Sequence, residues 1–182
     1  MDIVETGFRH LFIVRTKVWA DERGLFQETF KEASFRIATG LNLSFVQDNE
    51  SVSKKGVLRG LHAQRPPRSQ GKLIRVVQGS IQDVVVDLRK SEPTFGKWIS
   101  FDLKQGDGQM IYIPEGFVHG FLALEENTIV NYKCTNYYDQ KSEIHVNPFD
   151  SDLAISWKEE CAFQSEKDSL GQPLSEFSNL FF

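Results

Sequence analysis

The sequence predicts an all-β protein, a sandwich or a closed barrel. Three observations carry this reading. Short segments alternate apolar and polar residues, the period of a strand with one face buried. Gly, Pro and Asn/Asp turn signals separate them at close spacing. Fifteen Phe and three Trp supply the large rings that fill the space between two sheets. The 182 residues fit one domain, read here as a single unit over 1–182. A chain of that length buries about 70% of its unfolded surface, enough for a core without staples.

The elements follow in order. Leu25 to Phe30 alternates Leu and Phe with Gln, Glu and Thr. Lys31 to Thr39 is the one segment that reads as a helix, with Gly40 at the C′ position. Ser80 to Leu88 puts Gln82, Val84, Val86 and Leu88 on one face and Asp83, Val85 and Asp87 on the other. Lys97 to Leu103 alternates Ile99, Phe101 and Leu103 with Ser100 and Asp102. Phe117 to Leu124 and Thr128 to Asn136 read the same way. Turns fall at Gly24, Gly56, Gly71, Gly79, Pro93, Gly106-Asp107-Gly108 and Glu125-Glu126-Asn127. From Cys161 the tail is mostly polar, and Ser165, Glu166 and Asp168 open either a short helical turn or a loop.

Composition excludes several classes. A net charge of −4 is a poor footprint for nucleic acid. No apolar run reaches the length of a membrane span. The start, Met-Asp-Ile-Val-Glu, lacks the basic and apolar regions of a signal peptide, so a cytoplasmic protein is expected. Cys134 and Cys161 form no CxxC. Four His, none in an HxH pair, with His10 and His145 far from the rest in sequence, argue against a metal site.

Three clusters carry chemistry. The first is Arg59-Gly60-Leu61-His62, with Arg65, Arg68 and Lys72 nearby, a basic stretch suited to phosphate or pyrophosphate. Arg59 and His62 have opposite strand parity, so a bulge at Gly60 is needed if both face one cavity. The second is Phe117-Val118-His119-Gly120-Phe121, where His119 shares a face with two Phe. The third runs from Asn131 to Tyr138. There Tyr132 shares the face of Thr128 and Val130, and Tyr137-Tyr138 end the segment as possible stacking rings. Glu28, Asp83, Asp87, Glu143 and Asp168 are the carboxylates able to orient a His.

The strings FVQDNESVS (45–53), GVLRGLH (56–62), QGKLIRVVQGSIQDVVVDLR (70–89), EPTFGKW (92–98), IPEGFVHGF (113–121) and YKCTNYY (132–138) resemble the dTDP-4-dehydrorhamnose 3,5-epimerase family, from about Arg15 to Leu174. The resemblance implies a metal-free, cofactor-free cupin-type jelly-roll β-barrel with short peripheral helices. It implies a homodimer whose subunits exchange N-terminal strands. The implied substrate is a dTDP-linked 4-keto-6-deoxy sugar, inverted at C3 and C5. By position it makes His62 the general base, Asp168 its carboxylate, Tyr132 the proton donor and Lys72 the group at the keto oxygen. It makes Arg23, Glu28, Gln47, Asn49, Arg59 and His119 substrate contacts, and Tyr138 the ring on thymine. Glu143 and Lys167 are late contacts, the latter where the family often has Arg. The chain departs from the family at Ala63, at Ile144 to Asp150 and at Lys158, which leaves the number of inverted carbons open.

The chemistry agrees with these residue types. A carbon acid next to a ketone ionises only if the enolate is stabilised, and an ammonium does that. A His has the right basicity for the proton. Inversion needs a second acid on the other face, and a Tyr stays protonated until called on. A mono-epimerase of a modified sugar and a non-catalytic nucleotide-sugar-binding cupin are the alternatives. Binding alone does not require His62, Asp168 and Tyr132 together.

Overall fold

The computed structural model describes residues 1–177, so 178–182 of the expected single domain lie outside the described residues. The chain begins with β1 (Asp2–Glu5), β2 (Phe12–Arg15), β3 (Val18–Asp21) and β4 (Gly24–Gln27). Helix α1 (Glu32–Thr39) follows, then β5 (Gln47–Ser53), β6 (Leu58–Gln64), β7 (Lys72–Gln78) and β8 (Ser80–Asp87). The last strands are β9 (Trp98–Lys104), β10 (Gln109–Ile113), β11 (Phe117–Ala123), β12 (Thr128–Cys134) and β13 (Glu143–His145). A short α2 (Glu166–Ser169) and a 3-10 turn close the described chain.

Two antiparallel sheets form the body. One has the order β1-β2-β10-β7-β12-β5, the other β13-β6-β11-β8-β9. Neighbours such as β2 and β10, or β6 and β11, are far apart in sequence, the wrapped pattern of a jelly roll. Ile74, Ile111 and Val130 of the first sheet meet Ile81, Val85, Phe101 and Phe121 of the second in one buried cluster. Each such side chain contributes about 1.5–3 kcal/mol by leaving water.

Both outer faces are also covered. On the first sheet, Phe35 of α1 packs on Phe12, Leu73 and Tyr112. The helix ends as its sequence dictates: Gly40 takes φ 70° and its N–H donates to the Arg36 carbonyl at 2.9 Å. On the second sheet, Val146, Leu153 and Phe177 cover Val84, Val86 and Val118. The alternation of Ser80 to Leu88 therefore reports two buried faces, not one wet and one dry, because the tail folds back over the outer one. Gln82 ties that tail down, donating to the Ser156 carbonyl and accepting from the Lys158 N–H.

The expected strand over Leu25–Phe30 is shorter and lies elsewhere. Only Gly24–Gln27 is extended, and β3 and β4 form a separate ribbon outside both sheets. Trp19, Leu25 and Phe26 on this ribbon are exposed. The expected strand over Thr128–Asn136 ends at Cys134, after which the chain turns into the mouth of the barrel. No helix among the described residues is long and apolar enough to cross a membrane.

Candidate active site

The bulge needed at Gly60 is present. Between β6 and β11, His62 pairs with His119 and Arg59 with Phe121, so three steps on β6 face two on β11. The extra residue turns Arg59 and His62 to the same side, and both line one cavity. Gly60 adopts φ 126°, and a Cβ there would sit 2.4 Å from the Gly120 Cα. Only two glycines fit this crossing, which explains why RGLH and HGF both carry one at that place.

His62 Nε2 lies 2.6 Å from Asp168 Oδ1. Asp168 comes from α2, whose first turn is capped by Ser165 Oγ accepting from the Asp168 N–H. Its second oxygen accepts from the Gly60 N–H at 3.4 Å. Burial pushes the carboxyl upward, but the bonds from His62, Gly60 and Ser165 outweigh it and hold Asp168 below the usual range. Asp168 is therefore a carboxylate that fixes one nitrogen of His62 and leaves Nδ1 for chemistry.

Tyr132 and Lys72 reach the same cavity from the opposing sheet, on β12 and β7. Alternation puts Tyr132 on the inward face with Val130, against the inter-sheet core. Burial raises its phenol above the ordinary value, so it is a protonated acid at neutral pH. Lys72 is buried, which lowers its pKa, while Cys134, Asp83 and Glu143 act the other way. His119 faces it with a pKa driven well down by burial first and then by its neighbours Lys72 and His62, so His119 is neutral. Asp83, fully buried, makes no hydrogen bond through either oxygen, and His119 Nδ1 stands 3.6 Å from its Oδ2. Burial holds Asp83 well above the normal carboxyl range.

The cavity is about 510 Å³, of the size that holds a small organic ligand. Phe163 and Gln164 of the tail, which no sequence pattern marks, form one wall together with Ser165. A smaller recess of about 100 Å³ shares His62, Lys72, Tyr132 and Glu143 and adds Gln47, Asn49 and Tyr138. Gln47 accepts from the Tyr138 N–H, which anchors the Tyr138 loop to β5. Glu143 spans both spaces, taking a hydrogen bond from the Tyr138 hydroxyl at 2.9 Å and an ion pair from Lys167. Burial raises the Glu143 carboxyl, but Lys167 and Tyr138 bring it below its usual value.

Two expected contacts are not brought together with the rest. Arg23 sits on the β3–β4 ribbon, exposed and paired with Asp21 at 2.6 Å. Glu28 follows that ribbon and lines neither space. Their ribbon is separate from both sheets, and within one chain neither residue lines this cavity. Of the basic stretch, Arg59 and Lys72 face the cavity while Arg65 turns out to the Lys141 carbonyl. Among the candidate carboxylates, Asp87 serves Arg89 and Thr94 instead.

One residue was misjudged. Distance along the chain set His145 apart, yet β13 pairs with β6 and places His145 directly opposite His62. The two rings are 4.6 Å apart, and His145 Nδ1 is 3.7 Å from Asp168 Oδ1. The period of two would have found it, since His145 shares the face of Glu143.

The chain and its fold have known counterparts. The family model described as dTDP-4-dehydrorhamnose 3,5-epimerase matches residues 5–176. The chain belongs to this family. It is 47% identical over 176 residues to a dTDP-4-dehydrorhamnose 3,5-epimerase of Methanothermobacter thermautotrophicus, covering 95% of this chain and 94% of the relative. A crystal structure of an epimerase from Legionella pneumophila in complex with dTDP-4-keto-L-rhamnose superposes with a TM-score of 0.91 at 41% identity, over 96% of this chain and 93% of that one. A 3′-monoepimerase from Streptomyces bikiniensis in complex with dTDP-quinovose gives a TM-score of 0.88 at 32% identity, over 93% and 86%. The cupin-type jelly roll implied by the sequence strings is the fold of the family.

Proposed function

We propose that this chain is an isomerase that inverts C3 and C5 of dTDP-4-dehydro-6-deoxy-D-glucose, giving dTDP-4-dehydro-L-rhamnose without a cofactor. One observation carries the mechanism: His62 and Tyr132 project from opposing sheets into one cavity that also holds Lys72. A sugar lying between the sheets would meet a base on one face and an acid on the other. His62 Nδ1 takes the proton next to the ketone. Lys72 meets the charge that develops on the keto oxygen. Asp168 stabilises the imidazolium that forms. Tyr132 then delivers a proton to the opposite face, and the carbon is inverted. Arg59 and Lys167 supply positive charge for the diphosphate, and Tyr138 offers an exposed ring to the base. Gln47, Asn49, His119 and Glu143 complete the sugar and nucleotide contacts.

The reading includes a homodimer. Trp19 and Phe26, paired across the β3–β4 ribbon with rings 5.8 Å apart, are both exposed and give it an apolar face that a second copy would cover. In such an exchange Arg23 and Glu28 reach the cavity of the other copy. We place the protein in the cytoplasm, with its nucleotide-sugar substrate.

Proton exchange in D₂O tests the reaction. Native protein should introduce deuterium at both C3 and C5, read by NMR, and His62→Ala with unchanged circular dichroism should introduce none. Undiminished exchange in that variant removes His62 as the base. The likeness to a 3′-monoepimerase favours one second reading, inversion at a single carbon. Deuterium at C3 alone would decide for it.

A further inference from the structure

His62, His145 and Asp168 place two imidazoles and a carboxylate with ligand atoms within 4.8 Å of one another. Both nitrogens of His145 are buried and make no hydrogen bond within the described chain; each stands just beyond that reach of a carboxylate, Nε2 at 3.5 Å from Glu143 Oε2 and Nδ1 at 3.7 Å from Asp168 Oδ1. A buried imidazole nitrogen gains from a partner, and a cation is one that both rings and the carboxylate can share. Two imidazoles and one carboxylate are a donor set for a divalent transition metal, with water completing its coordination. Around such an ion, with ligand bonds of about 2.0–2.2 Å, donors stand on the order of 3.3 Å apart. Asp168 Oδ1 is now 2.6 Å from His62 Nε2 and 3.7 Å from His145 Nδ1. The first gap must open and the second close by well under an ångström, and the two imidazole nitrogens, within 4.8 Å of each other, must draw in to the same spacing through side-chain torsions. Both His stand on paired strands, so the backbone is already in place.

We propose that His62, His145 and Asp168 form an inhibitory site for a divalent transition-metal ion such as Zn²⁺. The ion takes Nε2 of His62, and the proton of the neutral ring then resides on Nδ1. That is the nitrogen which the epimerase reading needs free, so an occupied site has no base. The inhibition, though not the binding, rests on that reading.

The test uses the full chain after EDTA treatment. Co²⁺ titration, followed by its visible absorption, should saturate at one equivalent and be reversed by Zn²⁺. His145→Gln and Asp168→Asn should each weaken binding by more than the roughly 10–100-fold that losing an outer partner of a metal ligand costs. His10→Gln, which alters a histidine outside the site, should bind as the native chain does. Near-UV circular dichroism checks that each variant is folded. Absence of a saturating absorption, or a His145→Gln titration equal to native, overturns the site; a water on His145 then explains its lone pairs. In D₂O exchange, Zn²⁺ should suppress native turnover and be relieved by EDTA. Binding without suppression overturns the inhibitory role. A native chain with no exchange even after EDTA treatment refutes the epimerase reading, and the Co²⁺ titration still decides the site.

Discussion

Replacing Asp168 by Asn isolates what the carboxylate gives to His62. The side chain keeps its size, and the Ser165 cap acts on the backbone N–H, so the α2 turn should survive. What is lost is the negative charge 2.6 Å from Nε2 when His62 carries the abstracted proton. A hydrogen bond to a charged group is worth about 1.5–3 kcal/mol. Opposite charges about 4 Å apart near a protein surface interact by about 4 kcal/mol, an upper bound here because the His62 side chain is 29% exposed. The hydrogen-bond range corresponds to a fall in kcat of roughly 10- to 160-fold. KM should change little, because Asp168 is aimed at His62 and not at the sugar. If the amide nitrogen of the new Asn turns toward Nε2, the ring takes the wrong tautomer. The loss then approaches the roughly 10⁴-fold seen when a triad carboxylate is replaced by an amide. The assay is the initial rate of deuterium incorporation at C3 and C5 against substrate concentration. A folded Asp168→Asn protein with native kcat would refute the pairing as a catalytic device.

Three further outcomes are expected. Tyr132→Phe should lose net inversion while His62 still removes and returns a proton, so exchange with retention survives; full yield of the epimer would exclude Tyr132 as the acid. Gly60→Ala should destabilise the fold by at least about 2 kcal/mol, since the added Cβ meets backbone at 2.4 Å and φ is 126°. For a chain of this size that lowers Tm by roughly 4–8 °C or more in differential scanning calorimetry, and an unchanged Tm would mean that the bulge is not a tight crossing. Asp168 has a depressed pKa in the folded chain, so its stabilisation is present above the unfolded value of about 3.9 and is lost as pH falls through the folded one. Urea melts from pH 6 down to pH 3 should show this acid loss in the native chain and less of it in Asp168→Asn; parallel curves would contradict the pairing.

The fold class was written in local pattern. Period-two alternation with turn residues between gives strands whatever their partners, and the Gly40 cap ends α1 by backbone sterics alone. Tyr132 was legible as inward because its face is fixed by Val130 two residues away. The shared cavity of Arg59 and His62 was legible only as a condition, a bulge at Gly60, since the shift belongs to the pairing with β11.

Other matters were decided by contacts between distant segments. Asp168 reaches His62 across 106 positions, and no local rule selects it over Glu28, Asp83 or Asp87. The covered outer face of β8 depends on a tail that returns from Val146 to Phe177. His145 looked remote because sequence distance is a poor measure in a jelly roll, where β13 comes back to lie beside β6. Arg23 and Glu28, by contrast, belong to a ribbon outside both sheets and line neither space of their own chain. The sequence by itself determined strands, caps and the kinds of chemistry available. Tertiary structure decided which groups share a cavity, because side-chain direction is set residue by residue, whereas neighbourhood is set by how the sheets wrap.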